Sequence, residues 1–256
     1  MGEKTEKAIL LVAGEGTRLR PHTLDRPKCL VEVDGTSLLD RQIAVLKSEG
    51  INTIVLVGGF KAEMLINKGS RLIVNSKYAS TNMLWTLFCA ENELEGTVII
   101  SYGDIVYSKN ILQSLLASSA EIAVAIDKDW EMYWRLRNEN PLEDAESLKL
   151  SSNGQITEIG KCPGSTDEIE GQYMGLLKLS GNGVSIFKEV FHDAIKQGEI
   201  VGKPVENAYM TDFLQHIIEQ NYLVQSVPVV GDWVEIDTID DLELEVTSQR
   251  LMRIQA

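Results

Sequence analysis

Positive charge is in short supply. The 256-residue chain has 24 Lys and Arg against 38 Asp and Glu, a formal net charge of −14 at pH 7. This excludes a general nucleic-acid binder, which needs a basic face to neutralise phosphates. It equally excludes polybasic docking to an anionic membrane. Long apolar runs are missing too, since none approaches the roughly 20 residues that span a bilayer. The opening MGEKTEKAILLVAG places Glu3 and Glu6 where a secretory signal carries positive charge. Cysteine and histidine are scarce: Cys29, Cys89 and Cys162 are widely separated, and His22, His192 and His216 complete the set. None has the paired spacing of a zinc site. Three buried, reduced thiols in a cytoplasmic protein are the expectation. Repeats, low-complexity segments and linkers are also missing.

What is present is an ordinary globular composition, 44% hydrophobic and 24% charged, which argues against disorder. The length suits one large α/β domain with an appended lobe. Such a chain buries about 70–75% of the surface its unfolded form exposes, so it folds without disulfides or structural metal.

The first hundred residues alternate strand and helix signals. Lys7–Val12 is an apolar run ending in a glycine-bearing loop, as a buried parallel strand does. Ser37 is placed to cap a helix in which Leu39, Ile43 and Leu46 share a face, and Gly50 ends it. Strands are expected at Thr53–Val57, Arg71–Val74 and Thr97–Ser101, with a helix over Met83–Asn92. Strands at helix-separated intervals imply a doubly wound, mostly parallel sheet. From about residue 127 the pattern loosens into a polar, acidic, proline-bearing stretch, followed by short strands at Gln155–Ile159 and Gln172–Leu179. Helices near 183–197 and 209–220, a strand over Leu223–Val230 and a closing helix from Thr238 complete the chain. Residues 1–256 therefore read as a single domain, with about 127–180 contributing an inserted, smaller β-rich substrate lobe.

The most informative segment follows the first strand and runs from Ala13 to Lys28. Gly14 and Gly16 allow a sharp turn and a close approach of backbone N–H groups to a ligand, and successive amides of this kind form an anion-binding concavity. Arg18, Arg20, Arg26 and Lys28 put four cations within eleven positions, with Asp25 the only acid among them. Leu19 stands where a P-loop or a dinucleotide fingerprint requires glycine, so both are excluded. By composition alone the segment is either a solvated turn or a polyanion cradle.

The stretch GEGTRLRPHTLDRPK resembles the Gly-x-Gly-Thr-Arg…Pro-Lys signature of nucleotidylyltransferases that activate sugar phosphates and small phosphorylated alcohols. That resemblance implies a Rossmann-like, GT-A-type fold. It also implies in-line attack of a phosphate or phosphonate oxygen on the α-phosphorus of a nucleoside triphosphate. Carried over, Ala13, Gly14, Gly16 and Thr17 line the triphosphate, Arg18 neutralises the leaving pyrophosphate, and Lys28 reaches the reacting phosphates. Asp104, after the strand ending in Ser101-Tyr102-Gly103, and Asp237, late in the chain, match the family's two metal aspartates and imply Mg2+. On its own residues, Asp237 reads equally as a helix cap. Glu235 is a weaker candidate, its side chain being expected on the opposite strand face. No general base is required, because a phosphate monoester with second pKa near 6 is already largely dianionic at pH about 7.

The segment Asn75–Met83 resembles the Lys-Tyr-Ala…Asn stretch of bacterial phosphocholine cytidylyltransferases and their 2-aminoethylphosphonate relatives. This implies CTP as donor, with Asn82 and Ser80 nearest the base and Asp104 at the nucleotide. An Asn amide matches the mixed donor–acceptor edge of cytosine; alternatively Asn82 caps the helix from Met83. Residues 130–149 look closer to aminophosphonate and phosphoglutamine-type members. Trp130, Tyr133 and Trp134 are either π faces for an ammonium or the buried stripe of a helix. Asp144 and Glu146 are candidate partners for the same cation, and Arg135 and Arg137 for the acceptor's phosphate or carboxylate. Lys161 matches a family lysine near that phosphate, although Gly160 stands where a Glu is usual. Tyr173 and Gly175 fall where the family packs a strand under the acceptor, and Trp233 is placed to close the pocket. The expected partners are CTP and a small phosphorylated or phosphonate acceptor, with no nucleic acid and no membrane. A sugar-1-phosphate nucleotidylyltransferase and a catalytically silent nucleotide-binding module are the alternatives.

Overall fold

The structure is a computed structural model that describes residues 6–255. Glu3, used above for the N-terminal charge pattern, lies outside the described residues. Strand β1 (Glu6–Val12) is buried at every position after the first, because an unbroken apolar run suits a central strand covered on both faces. It is joined by β2 (Thr53–Gly58), β3 (Arg71–Val74), β4 (Thr97–Tyr102), β5 (Ile122–Asp127), β6 (Gln172–Leu179) and β7 (Gln225–Val229). They form a seven-stranded sheet in the order β7-β5-β6-β4-β1-β2-β3. Every pair is parallel except those of β6, which runs antiparallel to β4 and β5. The fold is thus the expected α/β, mostly parallel sheet.

The helices are α1 (Leu38–Ser48), α2 (Met83–Phe88), α3 (Lys109–Ala117), α4 (Trp130–Arg137), α5 (Gly183–Gln197), α6 (Met210–Glu219), α7 (Ile239–Glu243) and α8 (Glu245–Gln255). Alternation along β1 sends Ile9 and Leu11 into a core with α2, α5 and α6, and Ala8, Leu10 and Val12 into one with α1, α3 and α4. Helix α1 starts as expected, with the Ser37 hydroxyl accepting the Asp40 N–H at 3.0 Å. Gly50 takes the left-handed conformation just after its end. Helix α2 is shorter than expected: a tight bond from Ala90 N–H to Leu87 O at 2.9 Å ends it, and a 3-10 turn at Glu91–Glu93 follows. A third cluster, including Leu19, Val106, Ile236 and Leu251, packs the glycine-bearing loop against α8.

Between β5 and β6, residues 128–171 hold α4, a 3-10 turn at Pro141–Glu143 and an antiparallel ladder of Leu148–Leu150 with Ile156–Ile159. The final strand of the expected lobe, β6, is a member of the main sheet. Among the described residues no helix is long and apolar enough to cross a membrane.

The expectation of three buried thiols is corrected. Cys29 is buried, Cys89 half-buried and Cys162 exposed in the loop after Gly160. Burial pushes the Cys29 thiol up to about 12. With a disulfide reagent near neutral pH, Cys162 is expected to react first and Cys29 only on unfolding, because the thiolate is the nucleophile. Loss of the fast phase in Cys162→Ser checks this; its persistence would contradict it.

Candidate active site

Strands β1 and β4 are adjacent and parallel, so the loops that follow them leave the same edge of the sheet, where α/β proteins gather ligands. The Gly103 N–H bonds the Leu11 carbonyl at 3.0 Å. A Cβ there would stand 2.8 Å from that oxygen, so glycine is what lets the chain carry Asp104 this close to β1. Asp237 arrives by another route. Trp233–Glu235 pairs antiparallel with Ile105–Tyr107, and the Ile236 N–H continues the ladder to the Asp104 carbonyl at 3.0 Å. The loop after β1 turns at Gly16, whose φ of +64° is left-handed. The Thr23 hydroxyl donates to the Gly16 carbonyl at 2.7 Å, and the Lys28 N–H reaches the Gly14 carbonyl at 3.4 Å. The loop therefore folds back and returns Lys28 to the end of β1.

These routes bring together side chains far apart in sequence. The Lys28 ammonium donates to Asp104 Oδ2 at 2.8 Å and also to Asp237 Oδ1. Arg18 lies 3.3 Å from Asp237 Oδ2. Burial alone would push Lys28 down, but Asp104 and Asp237 outweigh it and raise its pKa above the ordinary lysine value. Burial would likewise raise Asp237, yet Lys28, with Arg18 and Arg137, holds its carboxyl below the usual value. Asp104 Oδ1 is buried and has no hydrogen-bond partner among the described residues.

Two adjoining cavities of about 180 and 200 Å³ open here, and Asn82 and Met83 line both. The first is walled by Ala13, Gly14, Lys28, Tyr78 and Asp104. Asp144, Glu146, Glu235 and Asp237 line the second together with Trp134 and Tyr173, and no Lys or Arg is among its described lining residues. The Thr211 hydroxyl donates to Glu146 at 3.2 Å, and burial pushes the Glu146 carboxyl above its ordinary value. Burial also pushes Glu235 above its ordinary value, against the pull of the neighbouring Arg137.

Of the acceptor residues expected from the sequence, Trp134, Asp144, Glu146, Tyr173 and Gly175 line the second cavity. Other positions are corrected. Trp130 and Tyr133 are core residues on the sheet-facing stripe of α4; the Trp130 indole N–H donates to the Ile169 carbonyl at 3.2 Å. Arg137 lines neither cavity, because its guanidinium is tied to Glu235 at 2.6 Å and Asp241 at 2.9 Å. Arg135 pairs with Glu131 on the exposed face of α4. Lys161 pairs with Glu158 at 2.7 Å on the surface. Trp233 is fully buried, its indole N–H on Asp127 at 2.8 Å. Ser80 turns its hydroxyl back to the Lys77 carbonyl and lines neither cavity. Thr17 and Arg18 are exposed on the outer turn of the glycine loop.

Asn82 does not cap α2 with its side chain; its Nδ2 donates to the Asn207 carbonyl at 2.6 Å. Asp237 does not cap α7 either, since Thr238 does so with Asp241 as reciprocal partner. Glu235 was expected on the far strand face, yet it lines the same cavity as Asp237, because residues two apart in extended chain share a face. Asp241 was missed. The Thr238-x-x-Asp241 spacing of a capping box was the signal that pointed to it.

The profile of the MobA-like NTP transferase domain matches residues 8–164. The chain is 43% identical over 253 residues to CTP:phosphoglutamine cytidylyltransferase of Campylobacter jejuni, covering 93% of this chain and 98% of that protein. It is 39% identical over 122 residues to choline-phosphate cytidylyltransferase of Streptococcus pneumoniae, 46% of this chain and 53% of that protein. Among solved structures, CTP:phosphocholine cytidylyltransferase from Streptococcus pneumoniae has the same fold, with a TM-score of 0.72 at 24% identity over 98% of this chain and 99% of that one. With its glycine-bearing loop, its paired aspartates at the sheet edge and these matches, the chain belongs to the family of MobA-like NTP transferase domains, which are nucleotidyltransferases.

Proposed function

We propose that this protein is a Mg2+-dependent cytidylyltransferase. In this reading it moves CMP from CTP to a small acceptor bearing both an ammonium and a phosphate or phosphonate, phosphoglutamine being the first candidate. The observation that carries it is the second cavity. Of the carboxylates in its lining, Glu235 is paired with Arg137 and Asp237 with Lys28 and Arg18, whereas Asp144 and Glu146 have no ion-pair partner among the described residues, so the ligand that suits them brings positive charge of its own. It adjoins the cavity beside Lys28 and Asp104, which suits a donor triphosphate. The relative with which the chain shares 43% identity is named for phosphoglutamine.

In the proposed reaction an acceptor phosphate oxygen attacks the α-phosphorus of CTP. A new P–O bond forms as the bond to the β-phosphate oxygen breaks, and pyrophosphate carries away the electron pair. The acceptor needs no base, being largely dianionic near neutral pH. The amides of Gly14 and Gly16 cradle the triphosphate, Lys28 meets the reacting phosphates, and Arg18 offsets charge on the leaving group. Asn82 Nδ2 is engaged with Asn207, which leaves Oδ1 to accept from the exocyclic amine of cytosine, a group uracil lacks. Asp104 and Asp237 are hard oxygen donors, and the unpartnered Asp104 Oδ1 fits them to Mg2+. Bound there, the ion would neutralise charge at the α-phosphate. The chain is one catalytic unit in this reading, residues 128–171 supplying Trp134, Asp144 and Glu146 to the acceptor wall. Free thiols, one exposed, fit a reducing cytoplasm.

Pyrophosphate release measured with each nucleoside triphosphate against phosphoglutamine, phosphocholine, 2-aminoethylphosphonate and glucose 1-phosphate tests the proposal. CTP with an ammonium-bearing acceptor is the expected pair; turnover of UTP with the sugar phosphate instead would reject it. Glu146→Gln is expected to raise the acceptor KM about tenfold with a smaller change in kcat, because it removes one charge-assisted contact. An unchanged KM removes Glu146 from the acceptor site.

A further inference from the structure

Arg137 is a buried cation that touches neither cavity, yet it is bound on every side. Its side chain is 4% exposed. It lies 2.6 Å from Glu235, 2.9 Å from Asp241 and 3.9 Å from Asp237. The rings of Tyr133 and Trp134 lie 5.3 and 5.2 Å from its central carbon. Asp241 is the hub of this arrangement. One of its oxygens holds Arg137; the other accepts the N–H groups of Asp237 at 2.9 Å and Thr238 at 2.8 Å, and the Thr238 hydroxyl at 3.0 Å. One carboxylate therefore fixes both the backbone that carries Asp237 and the buried guanidinium beside it; the nearer guanidinium, Arg18 at 3.3 Å, is on an exposed side chain.

Geometry decides which pairing wins. Glu235 and Asp241 each hold the guanidinium by a hydrogen bond, whereas Asp237, 1 Å or so farther out, does not. A freed guanidinium has Asp237 as its nearest alternative, and a full ion pair there would compete with a divalent ion for the same oxygens. We infer that Arg137 and Asp241 are positioning residues for Asp237, with Asp241 and Glu235 holding this buried guanidinium off that carboxylate, so that it adds no further competitor to Lys28 and the exposed Arg18 when a metal ion binds. This rests on the proposed reading of Asp237 as a metal ligand. It also links α4, whose Trp134 lines the acceptor cavity, to the metal side of the site.

Asp241→Asn isolates the tie. An amide at this position still accepts the Asp237 and Thr238 N–H groups through its oxygen, but its NH2 faces Arg137, which cannot accept. Mn2+ is titrated into the full chain with a non-reactive α,β-methylene analogue of CTP present, and free Mn2+ is followed by electron paramagnetic resonance. Asp241→Asn is expected to weaken Mn2+ binding about tenfold, at the low end of what outer partners of metal ligands contribute. Adding Arg137→Met is expected to restore most of that loss, since it removes the competing cation; a merely structural role for Asp241 gives no such rescue. Wild-type affinity in Asp241→Asn, with binding lost in Asp237→Ala, overturns the inference. Wild-type affinity in Asp237→Ala overturns the metal reading instead. Should the double variant not fold, the KM for Mg2+ in Asp241→Asn decides: a raised KM with kcat kept supports positioning, and a lowered kcat with KM unchanged overturns it.

Discussion

Lys28→Met is expected to lower kcat by about 100- to 1000-fold, the usual loss when one group aimed at developing transition-state charge is removed. The same change is expected to destabilise the fold by about 3–5 kcal/mol when divalent ions are chelated, the range for breaking a buried ion pair. The Lys28, Asp104 and Asp237 side chains are only 13%, 9% and 15% exposed. Two opposing effects bear on the result. Loss of the ammonium relieves the cost of burying it, but leaves two carboxylates side by side with little water to separate them. The second effect wins, because an uncompensated buried charge costs more than a compensated pair. Thermal melts in EDTA and in excess Mg2+ separate the contributions, since an ion bound by both aspartates replaces part of the missing positive charge. A loss of melting temperature that is equal in EDTA and in Mg2+ would show that the ion does not share the lysine's site.

Asp104→Asn is expected to have the opposite balance: turnover falls by at least about 1000-fold, while the melting temperature holds or rises. The amide keeps the shape of the carboxylate and removes one negative charge from a crowded set, since Asp104 and Asp237 both bear on the neighbouring Glu235. Lys28 keeps Asp237 as its partner. Among the described residues Asp104 Oδ1 also has no hydrogen bond to lose. A buried oxygen left open in this way costs stability and is retained where function uses it. Single-turnover kinetics with saturating CTP, set beside a thermal melt of the same preparation, checks both halves. Turnover within about tenfold of wild type would remove Asp104 from the reacting centre.

Much of the architecture was legible because it is written locally. The apolar run of β1, the Ser37 cap, the left-handed glycine at position 50 and the face of α1 made by Leu39, Ile43 and Leu46 each depend on neighbours within a few residues. The insertion of β6 between β4 and β5, antiparallel to both, was not legible. Nothing in the string QYMGLLKL distinguishes a strand of a small lobe from one at the heart of the main sheet. Likewise the spacing of Trp130, Tyr133 and Trp134 described a helical stripe correctly but could not say whether it faces core or ligand. Only Trp134 lies where α4 meets the acceptor cavity.

For the site, the sequence by itself determined the chemistry on offer: glycines for a close turn, a cluster of cations on an acidic chain, and two aspartates following strands. The tertiary structure decided who meets whom. Pairing of Trp233–Glu235 with Ile105–Tyr107 sets Asp237 beside Asp104 and turns Glu235 into the same cavity. Docking of α4 takes Arg137 away from the acceptor and gives it to Glu235 and Asp241. The reason is one of range. Turn geometry and hydrophobic period are fixed by adjacent residues, whereas the partner of a charge is fixed by strand register and helix packing, which here join residues 76 to 209 positions apart.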